Sequence, residues 1–133
     1  QLPTHLCIHG WSVVGKGGGV PMRHILDLVK PTAEARYAVF YSLADGGDGG
    51  RYYDVHKMHN MRHDLTILAY EMNGQPVSVL HGAPLRLRCE SELGFKMVKW
   101  IAAIELVRDF TDLGAGQGGY NEDHEFYGYR MPI

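Results

Sequence analysis

The sequence predicts an α+β domain, a mixed β-sheet with few short helices and long glycine-rich loops. Stretches with strand-like composition outnumber those with helical periodicity. They are irregularly spaced and do not alternate regularly with helices, which argues against a doubly wound parallel sheet. Long irregular segments in a compact domain are typical of chains that wrap a ligand or a partner.

The N-terminal part of the chain is expected to contain two strands and one helix. Pro21 suits the first turn of the helix, and Lys30 before Pro31 ends it. The apolar face of this helix is expected to consist of Ile25, Leu26, Leu28 and Val29. The segments around it are a strand at 4–9, a loop at 15–19, a strand at 36–42 and a glycine-rich loop at 45–50.

The remaining chain is expected to be richer in strands. Asn73-Gly74 is a strong signal for a tight turn at the end of one strand. The predicted elements are strands at 52–55, 66–72, 85–89 and 98–107, with a short helix at 56–62. The tail at 114–133 is rich in glycine and tyrosine and has little periodicity, so it is expected to be irregular.

Composition bounds the class of protein. A chain of 133 residues with 45% apolar residues can form one domain with a real core. Its net charge of −2 argues against nucleic acid as the main partner, although the basic residues between 86 and 99 allow a local anion site. No apolar run approaches the length of a membrane span. The start at Gln1 without an initiator Met indicates a fragment or a processed chain.

Two histidine patterns allow a metal site by spacing alone. In His5-x-Cys7-x-His9, alternate residues of a strand point to one face and could converge on zinc. The alternative is that Cys7 packs inward and the histidines are incidental. On a helix, His56, His59 and His63 would share one face. That face could bind a divalent metal, or the three side chains could simply be solvated. The glycines at 15–19 do not form a Walker phosphate loop, and a flexible turn is expected there.

Four segments, in order along the chain, resemble the cofactor-binding segments of the sulfite oxidase family of molybdenum enzymes. Residues 6–12 (Leu-Cys-Ile-His-Gly-Trp-Ser) resemble its molybdenum-ligand segment, and residues 68–76 the strand and turn before its pterin site. Residues 81–87 (His-Gly-Ala-Pro-Leu-Arg-Leu) resemble the pterin-binding run, and residues 94–101 the phosphate-binding turn. The resemblance implies that residues 1–133 form part of a molybdopterin-binding oxidoreductase domain, without the N-terminal portion found in the family.

The resemblance assigns roles to individual residues. Cys7 would be the thiolate ligand of molybdenum, a soft donor suited to a metal that changes oxidation state. Ser42 would place a small hydroxyl group near the cofactor. A tyrosine of the tail would stand on the substrate side, with Tyr127 preferred over Tyr120. The pterin and its phosphate would be held by His81, Arg86, the backbone of Met97 and Val98, and Lys99.

The function implied is oxygen-atom transfer on a small sulfur-containing or similar substrate, with a haem or cytochrome as electron partner and the bacterial periplasm as the expected location. The resemblance fixes neither substrate nor direction. The alternative is a truncated, cofactor-free module that binds a partner or a small anion. Whether Cys7 and Cys89 form a bridge also remains open at this point.

Overall fold

The computed structural model describes residues 4–6, 12–14, 17–46, 50–89, 92 and 96–125. The strands within them are β1 (Thr4–Leu6), β2 (Ser12–Val14), β3 (Gly17–Pro21), β4 (Tyr37–Asp45), β5 (Arg51–Lys57), β6 (Thr66–Met72), β7 (Gln75–Pro76), β8 (Arg86–Cys89) and β9 (Ile101–Val107). The helices are α1 (Met22–Val29), α2 (Met58–Met61) and α3 (Tyr120–Glu125), with a 3₁₀ turn at Val79–His81. The predicted α+β class, with few short helices, is confirmed.

The described strands form three sheets with antiparallel pairings. β1 pairs with β2. β6 pairs with β3, with β7 and with β8. β4 is the central strand of the third sheet, between β5 and β9. The turn between β6 and β7 is the predicted one, with positive φ at Asn73 (52°) and Gly74 (79°), which matches the two-residue hairpins that favour Asn-Gly.

Strand β4 has a core on each of its faces. Ala38 and Phe40 belong to the larger core, which also contains side chains of α1, α2, β6 and β8. Val39 points the other way and packs with Tyr53 and Val55 in a smaller, tyrosine-rich core. Because alternate residues of a strand face opposite sides, a continuous apolar run is what a central strand with two covered faces requires.

The predicted loop at 15–19 is partly wrong, because residues 17–21 form strand β3. β3 pairs with β6, with an irregularity between Gly18 and Gly19. A Cβ atom on Gly19 would overlap the backbone of Leu68 and Ala69. Glycine there permits close approach of two backbones and not flexibility, and a glycine run offers no side-chain pattern from which a strand could be predicted.

The histidine helix at 56–62 is also wrong in extent. His56 and Lys57 belong to β5, and α2 spans only Met58–Met61. In α1, Met22 and Leu26 are buried, but Leu28 and Val29 are 80% and 59% exposed. Leu28 lies two positions from Leu26 and therefore faces away from it.

The last two strands and the tail differ from the prediction at their ends. β9 begins at Ile101 and not at residue 98, because residues 97–100 form a turn with positive φ (52°) at Trp100. The tail was expected to be irregular, but it contains α3. Among the described residues, no helix is both long and apolar enough to cross a membrane.

Candidate cofactor site

A cavity of about 240 Å³ brings together residues from β4, β5 and the turn before β9. Three of the residues that the sequence singled out line it: Ser42, Met97 and Lys99. Its other lining residues are Ala44, Asp45, Tyr52 and Trp100. Stretches that are far apart in sequence thus meet at one place, as a site assembled by the fold requires.

Ser42 ties β4 to the turn at 97–100. Its side chain is buried, and its hydroxyl donates a hydrogen bond to the Lys99 carbonyl (2.8 Å) and accepts one from the Ala44 amide (3.1 Å). The Leu43 amide also donates to the Trp100 carbonyl (2.7 Å). The hydroxyl at position 42 therefore holds the backbone of the turn on which Lys99 lies.

Gly82 lets the segment after the 3₁₀ turn approach Lys99 and Arg86 closely. Its φ is +114°, and a Cβ atom there would lie 3.0 Å from the Lys99 side chain and 3.1 Å from Cβ of Arg86. The Arg86 guanidinium donates to the His81 carbonyl (2.9 Å), and the Ser78 hydroxyl lies 2.7 Å from Nδ1 of His81. The predicted pterin residues His81 and Arg86 are therefore adjacent to Lys99.

Lys99 is half-buried against Trp100. Its ammonium lies 4.6 Å from the centre of the indole ring and 3.4 Å from the Leu80 carbonyl, while the indole N–H donates to the Val79 carbonyl (2.5 Å). Burial and the neighbouring Arg86 lower the pKa of Lys99. Two cations held close together repel each other, and an anion placed at this point would relieve that repulsion.

Lys96 immediately precedes the backbone predicted to hold a phosphate, and it belongs to a buried charge cluster that the sequence analysis missed. The Lys96 ammonium, 1% exposed, lies 2.6 Å from Asp54 Oδ1 and 2.7 Å from Glu122 Oε1. Both carboxylates are completely buried. Burial lowers the pKa of Lys96, but the two carboxylates outweigh it and the pKa is raised. The ammonium therefore remains charged inside the protein.

The carboxyl groups of this cluster have the opposite balance. Burial raises the pKa of Asp54 well above its usual value, and Lys96 opposes that shift without cancelling it. Burial likewise raises the pKa of Glu122. One ammonium cannot fully compensate two buried carboxylates, so protonation of one of them is favoured. The only sequence sign of this arrangement was Asp54 in the predicted strand at 52–55, whose other residues are apolar or aromatic.

His56 joins the same region from β5. It is buried, its ring packs edge-on to Phe40, and Nε2 lies 2.6 Å from the Lys96 carbonyl. Because a carbonyl oxygen only accepts, Nε2 carries the proton and donates. Burial and the Lys96 charge lower the pKa of His56 to about 3. His56 is therefore neutral and is not the solvated residue that the sequence suggested.

A second cavity, of about 590 Å³, lies beside α3 and is lined by tyrosines, Arg51, Asp123 and His124. Tyr120 stacks on His124, and its hydroxyl donates to the Gly46 carbonyl. Tyr120 also packs against Tyr52, which lines the smaller cavity. Tyr127, the preferred substrate-side residue, lies outside the described residues.

The two metal patterns have different outcomes. His56 is buried in β5 while His59 is exposed in α2, so they do not form one helical face. The described part of the chain contains no group of three or more potential metal ligands. The zinc and molybdenum interpretations of the N-terminal segment depend on Cys7 and His9, which lie outside the described residues. Cys89 is buried in β8, where its sulfur lies 3.6 Å from the Thr66 hydroxyl.

Comparison with known proteins identifies the family. The model of the family described as "Oxidoreductase molybdopterin binding domain" matches residues 9–112. The chain belongs to this family. The expected family resemblance is thereby confirmed, although the matched stretch begins after Cys7 and therefore does not include it.

Similar curated proteins are named as methionine sulfoxide reductases. The chain is 32% identical over 126 residues to the "Putative protein-methionine-sulfoxide reductase subunit YedZ1" of Azospira oryzae, covering 95% of this chain and 44% of that protein. It is 36% identical over 115 residues to the "Protein-methionine-sulfoxide reductase catalytic subunit MsrP" of Xanthomonas axonopodis pv. citri, covering 80% of this chain and 36% of that protein. The chain thus spans less than half the length of these relatives.

A solved structure supports the fold. The sulfane dehydrogenase SoxCD from Paracoccus pantotrophus matches with a TM-score of 0.70 and 19% identity, over 82% of this chain and 31% of that one. The expected sulfite oxidase-type fold with few short helices is confirmed, although the described strands pair antiparallel and do not form the mixed sheet that was predicted.

The described residues fit a molybdopterin phosphate. Lys99 and Arg86 supply positive charge next to a cavity, and Gly82 keeps the space around them free of a Cβ atom. Asp45 is the carboxylate among the lining residues, and it lies opposite Arg51 in the antiparallel register of β4 and β5. A binding site for a phosphorylated, hydrogen-bonding ligand requires this combination of cations and open backbone.

Proposed function

We propose that the protein containing this chain is a molybdenum-cofactor-dependent oxidoreductase that transfers an oxygen atom to or from a small sulfur-containing substrate. We base this on the convergence of Ser42, Met97 and Lys99 at one cavity, with Arg86 beside Lys99. Family membership supports the cofactor class.

In this proposal each residue has a defined task toward the cofactor. Lys99 and the backbone of Met97 and Val98 bind the phosphate, and Arg86 adds a second positive charge. His81 contacts the pterin edge from the exposed 3₁₀ turn, where Ser78 orients its ring. Ser42 acts by holding the Lys99 carbonyl. When bound, the cofactor supplies a metal centre that exchanges two electrons and an oxygen atom with substrate.

Cys7 is the proposed protein ligand of molybdenum. Thiolate is the side chain that a soft, redox-active metal prefers. The proposal for Cys7 rests on the sequence resemblance of residues 6–12 alone. A tyrosine of the tail would hydrogen-bond the substrate oxygen, with Tyr127 as first choice and Tyr120 as second.

The relatives favour a sulfoxide as substrate and reduction as the direction. Both are named for protein methionine sulfoxide reduction. Reduction of a sulfoxide to a thioether consumes two electrons and two protons and releases the oxygen as water. A haem or cytochrome partner would supply the electrons one at a time.

The proposal is tested by analysing the natural full-length protein after expression in a host that makes molybdopterin. We expect about one molybdenum and one pterin per protein, and we expect Cys7→Ser to lose molybdenum while keeping the fold. Cys89→Ser, at a buried cysteine of β8, is the matched control and should retain the metal. Equal molybdenum in both variants would remove Cys7 as ligand. A folded protein without pterin would favour the cofactor-free module.

A further inference from the structure

A buried charge cluster fixes the residue that leads into the turn at 97–100. Lys96 immediately precedes the turn, and its ammonium contacts Asp54 of β5 and Glu122 of α3. Its carbonyl oxygen accepts the hydrogen bond from His56. The ammonium and the carbonyl group of Lys96 are therefore both held by elements outside the turn. Lys99, in contrast, lines the cavity of about 240 Å³.

The same cluster attaches α3 to the sheet. Glu122 is completely buried, and Gly119 forms a bridge with Asp54 just before the helix begins. A Cβ atom on Gly119 would overlap the Glu122 carboxylate and lie 2.9 Å from Asp54 Oδ1, so the two acidic groups and the glycine backbone are packed against one another. Position and charge at Lys96 therefore depend on α3.

We propose that Lys96 is a positioning residue that sets the backbone of residues 97–99 for the cofactor phosphate, and that Glu122 extends this control to α3. The inference rests on the proposed function for the identity of the ligand. Lys96 does not contact the cofactor in this arrangement. It acts through the turn, and loss of its partner on α3 would loosen phosphate binding at a site that Glu122 never touches.

Two substitutions of Glu122 separate positioning from charge. Glu122→Gln keeps an oxygen within reach of the Lys96 ammonium and resembles the protonated carboxyl group that the crowded cluster favours. Glu122→Ala removes the contact. Asp64→Ala is the control, because it removes an exposed ion pair with Arg23 on another part of the molecule.

Two readouts are measured in the natural full-length protein. The first is the molybdopterin content per protein, from the fluorescence of the released and oxidised pterin. The second is the hydrogen-exchange rate of the amides at 97–99 in protein produced without cofactor. We expect Glu122→Ala to accelerate exchange at 97–99 and to reduce the pterin content roughly tenfold, the lower end of the loss known for outer partners of metal ligands. Glu122→Gln and Asp64→Ala should stay within about twofold of the wild type by the same standard.

Wild-type pterin content and unchanged exchange in Glu122→Ala would overturn the inference. Should Glu122→Ala fail to fold, Glu122→Asp, which keeps the charge but shortens its reach, is judged by the same two readouts. If the wild-type protein carries no pterin, the proposed function fails. Exchange at 97–99 then still decides whether Lys96 and Glu122 set the conformation of the turn.

Discussion

Lys96 and Lys99 lie on the same short stretch of chain but in opposite environments. Lys96 is enclosed, and its charge is compensated by Asp54 and Glu122. Lys99 is half-buried on an indole ring, and the charged residue that perturbs it is another cation, Arg86. The pKa is raised in Lys96 and lowered in Lys99.

This contrast separates a lysine that stabilises the fold from one that the proposed function assigns to phosphate binding. A buried ammonium with two carboxylates already has its full set of opposite charges. Removing the ammonium therefore lowers the stability of the protein itself. A partly exposed ammonium beside a guanidinium gains most when an anion arrives. Identical side chains on one segment can thus have different tasks.

The largest expected effect is on Lys96. Lys96→Met should lower the free energy of unfolding by about 3–5 kcal/mol, because it leaves buried carboxylates without their cation. Urea denaturation at neutral pH measures this. Lys96→Arg should recover part of the loss. A cost below about 1 kcal/mol, the range of exposed pairs, would contradict the contrast with Lys99.

The pH dependence of stability tests the buried environment of Lys96 through His56, which hydrogen-bonds the Lys96 carbonyl. Its pKa is lowered to about 3 in the folded protein, so the unfolded chain binds a proton first as the pH falls below about 6.5. The stabilisation present above that pH is therefore lost progressively down to about pH 3. Between pH 6.5 and 4.5 the loss is on the order of 2 kcal/mol.

The variant His56→Gln isolates this contribution, since its amide can still donate to the Lys96 carbonyl. Asp54 and Glu122 have raised pKa values and act in the opposite sense, because their stabilisation is present below about pH 4 and is lost as the pH rises through their folded values. We expect the stability difference between wild type and variant to shrink on acidification. A constant difference from pH 7 to 4.5 would exclude His56 as the cause.

At the proposed cofactor site, Gly82→Ala should reduce pterin binding in addition to the loss of stability that its backbone conformation causes. A non-glycine residue at positive φ costs about 1–2 kcal/mol. Gly74→Ala is the matched control, since Gly74 also has positive φ (79°) but no atom within 4 Å of its added Cβ. We expect thermal unfolding to be similar in the two variants, with pterin binding reduced only in Gly82→Ala, where the methyl group crowds Lys99 and Arg86. Equal pterin content would sink this assignment.

The smallest expected change in stability is at Lys99. Lys99→Met should alter the free energy of unfolding by less than about 0.5 kcal/mol, the usual range for partly exposed positions. Its pterin content, in contrast, should fall clearly. Lys57→Met, at the end of β5, serves as a control that should affect neither quantity by much. A Lys99 variant that is unstable but still binds pterin would reverse the distinction drawn here.

Much of the fold could be predicted because its strands have clear local signals. The Asn73-Gly74 turn and the β-rich runs at 36–42 and 66–72 depend on neighbouring residues only. β3 escaped prediction because its glycines carry no side chains, and its strand conformation depends on the backbone of β6. α3 escaped because Glu122 is stabilised by Lys96, a residue remote in sequence.

The site, too, could be predicted only in part. Resemblance to a family pointed to Ser42, Arg86 and Lys99, and the fold brings Ser42 and Lys99 to one cavity with Arg86 beside it. The partners of Lys96 could not be foreseen, because pairing between distant charges leaves no spacing pattern in a single sequence. His56 was misjudged for the same reason: a histidine looks equally polar whether its ring is buried or solvated.

The central position of β4 has a consequence for how this protein is made. Its partner β9 and the carbonyl that Ser42 holds follow it much later in sequence, with Ser42 and Lys99 57 residues apart. During synthesis, β4 can pair with β5 early, but one of its edges stays open until β9 has left the ribosome. The cavity lined by Ser42 and Lys99 can therefore form only after residues 97–107 have left the ribosome.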